Sequence, residues 1–86
     1  RMSRRVLLIH NPAAATGSQG DARIHALVTA LRARGCLAQE QVTKAAGHAF
    51  RLAAELGGQA EVLIAAGGDG TAHEVASGLL AGGHPA

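Results

Sequence analysis

The chain has 86 residues, a formal net charge of +2 and a hydrophobic content of 48%, which makes it one small domain at most, or part of a larger one. Twenty of its hydrophobic residues are alanine and Phe50 is the only aromatic, so any core is thin; cores this small supply at most about 3–5 kcal/mol. The single Cys36 excludes an internal disulfide and a multi-cysteine zinc site, and no stretch approaches the roughly 20 apolar residues of a membrane span.

Three of the eight basic residues are Arg1, Arg4 and Arg5. The positive balance therefore belongs to the N-terminus and not to a face. With no aromatic residues interleaved, this excludes nucleic acid as the expected partner, while a short basic end suits transient contact with a membrane surface. Val6-Leu7-Leu8-Ile9 is a continuous apolar run of the kind found in a strand covered on both faces. It is too short for the apolar part of a signal peptide. Asn11-Pro12 ends it, and residues 11–20 read as a turn-rich loop.

Ile24, Leu27, Val28 and Leu31 follow the i, i+3, i+4, i+7 spacing of a helix, with Gly35 as its stop and Ser18 or Asp21 as its cap. Cys36 to Val42 is a weaker strand anchored by Leu37 and Val42. A second helix runs from after Thr43 to about Leu56, with Ala46, Ala49, Phe50, Ala53 and Leu56 as its apolar stripe. Glu61 to Ala66 is the next strand. Gly67-Gly68-Asp69-Gly70 forms a turn, and a third helix starts near Thr71, with Ala72, Val75, Ala76, Leu79 and Leu80 on one face. Three strand–helix units in succession predict an α/β fold: a three-layer parallel sheet with right-handed crossovers. The Arg1-Met2 start and the Gly82-Gly83 finish lead us to expect residues 1–86 to be the incomplete front of a larger nucleotide-binding domain.

In open α/β sheets ligands bind beyond the carboxyl ends of the strands. Three loops leave those ends: 11–20, the turn at Thr43, and 67–71. The sharpest is Gly67-Gly68-Asp69-Gly70-Thr71, where a glycine turn lets a ligand approach the backbone and the following helix start offers free N–H groups to a phosphate. Asp69 in such a loop suits a bridging Mg²⁺, or a base that takes a proton from an attacking hydroxyl; alternatively it is a turn residue whose side chain bonds its own backbone. Thr71 with Glu74 reads first as a capping box. Asn11 is the only asparagine, placed where its side chain can reach the same crevice, although from sequence alone a plain turn initiator is the favoured reading of Asn11-Pro12. His48 and His73 lie near this region. His10, His25, His48, His73 and His84 show no metal-ligand spacing.

Asn11-Pro12, then Thr43 four residues before Gly47-His48-Ala49, then the Gly67–Leu79 segment G-G-D-G-T-x-x-E-V-x-x-G-L, occur in an order that resembles the diacylglycerol kinase catalytic domain family, which includes bacterial lipid kinases and sphingosine kinases. The likeness runs from Arg5 to Pro85. It implies an enzyme that uses ATP and Mg²⁺ to phosphorylate a hydroxyl of diacylglycerol or a related lipid. Asn11, Pro12, Ala13, Ala14, Ala15 and Thr43 would contact the nucleotide, and Gly67, Gly68, Asp69, Gly70, Thr71, Ala72 and His73 would wrap its phosphates. Asp69 matches the aspartate taken as the catalytic base in the sphingosine kinase branch; in bacterial members a later aspartate in the second domain fills that role better. The resemblance further implies a cytoplasmic protein, peripheral at the inner face of the membrane, and leaves a homodimer open.

The sequence departs from the family pattern at Ala13-Ala14-Ala15, where a Ser-Gly is common, and at His73, where bacterial members often have Asn. The later G-T-G-N-D motif and the β-rich lipid-binding domain are absent, so the 86 residues alone are expected to be inactive. Two alternatives remain at the level of sequence: an NAD kinase-like fragment, and a small non-catalytic nucleotide- or phosphate-binding module.

Overall fold

The structure, a computed structural model, describes residues 4–12, 17–67 and 69–83, with the side chains of 17–21 and 69 left aside. Its elements alternate: β1 (Arg5–His10), α1 (Gly17–Ala33), β2 (Leu37–Val42), α2 (His48–Leu56), β3 (Val62–Ala66) and α3 (Asp69–Ala81), with one 3-10 turn (Gly57–Gln59) after α2. The strands form a parallel sheet in the order β2-β1-β3. This is the α/β architecture expected from the sequence.

β1 is central, and it is the one described strand buried along both faces. Val6 and Leu8 point to one side, where they meet Val28 of α1 and Ala38 of β2; Leu7 and Ile9 point to the other, against Ala49, Leu52 and Ala53 of α2 and Val75 of α3. Leu8 and Ile9 are fully buried, each worth roughly 1.5–3 kcal/mol. The chain moves from β1 to β2, then crosses back over β1 to reach β3. Crossovers of one hand in opposite directions leave their helices on opposite faces, and the two core clusters show α1 on one side and α2 with α3 on the other.

Several local expectations are corrected. α1 begins at Gly17, ahead of both proposed caps, so the loop after β1 is shorter than the turn-rich composition suggested. β2 is not anchored by Leu37 and Val42, which are 60% and 44% exposed; Ala38 is its buried residue. β2 lies at the sheet edge, and α2 and α3 cover the other two strands, which leaves the Leu37 side of β2 uncovered. On α2 the buried residues are Ala49, Leu52 and Ala53, while Phe50 stays 36% exposed. α3 begins at Asp69, two residues before the expected start. Val75 and Leu79 of its expected face do meet the core, with Thr71 and Gly78 buried beside them, but Ala72, Ala76 and Leu80 are exposed. Gly78 sets that face. A Cβ there would run into the Phe50 carbonyl and come within 2.9 Å of the Ala53 Cβ, so α3 rests its backbone directly on α2.

The two sheet edges differ. In β2, the amides of Leu37 and Thr43 bond β1, so the Ala38 carbonyl points outward. The Arg32 guanidinium covers it, donating from Nε at 3.2 Å and from Nη2 at 2.9 Å. With Gln39, Glu40 and Gln41 this makes a polar, guarded edge of the kind that discourages further pairing. β3 reads Val62-Leu63-Ile64-Ala65-Ala66 and carries no charge.

Candidate functional site

Among the described residues the buried polar side chains are His10, Thr43 and Thr71. All three sit at the carboxyl end of the sheet: His10 closes β1, Thr43 follows β2, and Thr71 lies in the first turn of α3 after β3. A buried polar group is informative because leaving water costs free energy unless it finds partners. Here three such groups gather where α/β sheets bind ligands. The crevice lies between β1 and β3, where α1 leaves toward one face and α3 toward the other.

Backbone bonds fix this end. The Asn11 amide donates to the Ala66 carbonyl at 2.9 Å and the Thr43 amide to the His10 carbonyl at 2.8 Å, which extends the sheet pairing one residue past each side of β1. Asn11 is thereby held in register with Gly67. Its Nδ2 donates to Thr71 Oγ1 at 3.4 Å, sixty residues away in sequence. Gly67 permits that approach. A Cβ at this position would lie 2.5 Å from Thr71 Oγ1 and 3.4 Å from the Asn11 Cβ. Thr71 is thus the third residue of α3 and its hydroxyl meets Asn11, so the capping-box reading of Thr71 and Glu74 is replaced: the helix has already begun at Asp69.

A cleft of about 290 Å³ opens over this junction, lined by Asn11, Thr43, Lys44 and Ala45 on one side and Thr71 and Glu74 on the other, with Ala46 and Ala49 beside them. Its volume falls at the low end for small-molecule sites, which run from about 300 Å³ upward, so these residues form part of a site. The lining offers two hydroxyls, an amide, an ammonium group and one carboxylate. Hydroxyls, amide and ammonium suit an anionic oxygen-rich ligand such as a phosphate chain. A larger hollow, about 410 Å³, lies at the opposite end of the strands around Leu37 and Leu56. It is mainly apolar and holds none of the buried polar groups, so size does not mark the functional end.

Of the residues singled out from sequence, Asn11, Thr43 and Thr71 come together on the cleft. Gly67 supports it from behind and Gly70 is exposed on the first turn of α3. Pro12 is an exposed turn residue; Ala72 and His73 are exposed and do not line the cleft. Ala13, Ala14, Ala15 and Gly68 lie outside the described residues, and Asp69 is placed only as the first residue of α3. Sequence reasoning missed Lys44, Ala45, Ala46 and Ala49 on the cleft wall, and His10 beneath it. His10 Nδ1 lies 3.6 Å from Glu40 Oε2 on the α1 face. The one signal for His10 was its position at the end of an apolar strand, where a buried polar residue needs a partner. Among the described residues no group of three or more His, Cys, Asp or Glu could hold a metal ion.

The family model for the diacylglycerol kinase catalytic domain matches residues 5–86. The chain belongs to that family. No curated protein matches it. No described helix is long and apolar enough to cross a membrane.

Proposed function

We propose that this chain is the nucleotide-binding front of an ATP-dependent lipid kinase that phosphorylates a hydroxyl of diacylglycerol or a closely related lipid. The observation that carries the reading is the convergence of Asn11, Thr43 and Thr71 on one cleft at the carboxyl end of a parallel sheet, in a chain of this family. Bound Mg-ATP supplies the phosphoryl group and charge neutralisation that phosphoryl transfer needs. The residues of this chain bind and orient it. Thr43 and Thr71 present hydroxyls from buried positions, Asn11 fixes the Thr71 rotamer, and Lys44 supplies positive charge on the facing wall. The first turn of α3, opened by Asp69-Gly70, points unpaired backbone N–H groups toward anionic oxygens. Asp69 is the residue assigned to the proton or the metal-linked phosphates.

The lipid site and the remaining nucleotide contacts belong to segments beyond these 86 residues, which would be inactive alone. Two features support this. β3 is an uncharged edge strand with 40% of Val62 exposed, unlike the guarded edge at β2. α3 carries a second apolar stripe, Ala72, Ala76 and Leu80, that no described residue covers, with Leu80 66% exposed. Both lie on the side to which a larger domain would add a strand and a helix. Membrane contact would be peripheral.

The test is transfer of label from the terminal phosphate of ATP to diacylglycerol in mixed micelles by the full-length enzyme. Asp69→Asn should lower turnover by about 10²–10⁴-fold with an unchanged unfolding transition. Wild-type protein that makes no lipid phosphate overturns the reading, and so does NADP as the product when NAD is offered. An Asp69→Asn variant of normal turnover reduces Asp69 to a turn residue.

A further inference from the structure

The cleft wall opposite Thr71 is a loop with no regular structure, residues 43–47, yet it carries Thr43, Lys44, Ala45 and Ala46. Such a wall orients a ligand only if something holds it. Its first residue is held by the sheet, through the Thr43 amide bond to the His10 carbonyl. Its far end is held by His48, the first residue of α2. The His48 Nδ1 accepts the Lys44 amide hydrogen at 2.9 Å, and the His48 amide donates back to the Ala45 carbonyl at 3.1 Å. The two bonds form a reciprocal clamp across the loop. Gly47, in the left-handed region at φ 83°, makes the tight return to the helix possible and has open space around it.

The ring does not face the nucleotide cleft. It lines a separate shallow hollow with Lys44 and Arg51 on the far side of the loop. Because Nδ1 accepts a hydrogen, the hydrogen of the neutral ring sits on Nε2. We infer that His48 is a positioning residue: its Nδ1 holds the Lys44 amide and so fixes the Thr43–Ala46 wall against which the ligand is bound, without touching the ligand. That the ligand is a nucleotide rests on the function proposed above; the clamp itself does not.

The chemistry separates two substitutions of similar polarity. In His48→Asn the side-chain oxygen stands two bonds from Cβ, where Nδ1 stands, and can accept the same hydrogen. In His48→Gln it stands one bond further and cannot. The experiment has a ligand-free arm and a ligand arm. Without ligand, hydrogen exchange of the Lys44 amide should be slow in the wild type and in His48→Asn, and at least tenfold faster in His48→Gln and His48→Ala. Ring nitrogen shifts of the wild type should show Nδ1 free of hydrogen. With Mg-ATP, His48→Gln and His48→Ala should raise Kd about fivefold to tenfold, and His48→Asn about twofold or less. The maximal turnover of the full-length enzyme should change little in all three. Equal Lys44 exchange in Asn and Gln variants, or hydrogen on Nδ1, overturns the clamp. Exchange that follows the clamp with Kd unaltered in all three variants overturns its role in the cleft. A wild type that keeps the slow Lys44 amide yet ignores Mg-ATP sinks the nucleotide reading and leaves the clamp standing. Urea unfolding of each variant identifies a loss that is merely structural.

Discussion

Gly78→Ala pits two well-understood effects against each other. Gly78 lies inside α3, and replacing a mid-helix glycine by alanine ordinarily stabilises a helix by about 1 kcal/mol. Here the added methyl group would overlap the Phe50 carbonyl oxygen and lie 3.0 Å from its carbon and 2.9 Å from the Ala53 Cβ. Two of these three neighbours are backbone, so no rotamer change relieves the contact. The helices must separate, and the small-residue cluster of Ala49, Ala53 and Val75 loses its close contact. Overpacking of this kind costs about 1–3 kcal/mol, occasionally more. Because the obstacle is main chain, we set the loss at the upper end, about 3 kcal/mol, and the net destabilisation at about 2 kcal/mol after the propensity gain. For a domain of this size that lowers Tm by roughly 8–16 °C. Urea unfolding followed by far-UV circular dichroism reads it directly. A Gly78→Ala protein as stable as the wild type, or more so, would show that α2 and α3 are not in backbone contact and that the placement of Thr71 on α3 is wrong with it.

Two further outcomes follow from the site and the sheet edge. Asn11→Ala removes the side chain that orients Thr71, and should weaken Mg-ATP binding about tenfold, the equivalent of one hydrogen bond of about 1.4 kcal/mol, with a smaller effect on turnover; isothermal titration and steady-state kinetics of the full-length enzyme separate the two. Arg32→Met keeps the apolar stem but uncovers the Ala38 carbonyl; it should cost about 1 kcal/mol and increase self-association in sedimentation velocity, whereas a sedimentation profile equal to that of the wild type would mean that β2 needs no guard.

The parts of the fold legible in the sequence were those with an uninterrupted apolar run. Val6 to Ile9 and Val62 to Ala66 have no polar interruption and form strands as expected. β2 was harder because it lacks the alternation a half-covered strand usually shows: Leu37 and Val42 lie on opposite faces and both are exposed, while the small Ala38 is the buried residue. The α3 stripe was right at Val75 and Leu79 and wrong at Ala72, Ala76 and Leu80, because periodicity cannot say which edge of a broad apolar face meets a neighbour. Thr71-Val75-Gly78 won over Ala72-Ala76-Leu80 because Gly78 lets the backbones touch. Within the site, the alternation of strands and helices put Asn11, Thr43 and Thr71 at the same end of the sheet, and they line one cleft there; Thr71 itself reads first as a helix cap in the sequence. Lys44 and the His48 clamp were not, since both depend on a loop path fixed by a single left-handed glycine and a side-chain bond to the main chain.

The most direct test of the cleft is an amide NMR titration of the chain with Mg-ATP. The account predicts a dispersed spectrum in which shifts concentrate at Asn11, Thr43 to Ala46, Gly67 and Gly70 to Thr71, while the Leu37 and Leu56 hollow at the opposite end of the strands stays unmoved. A dispersed spectrum in which these residues ignore Mg-ATP, or in which the shifts gather at that other hollow, would contradict it.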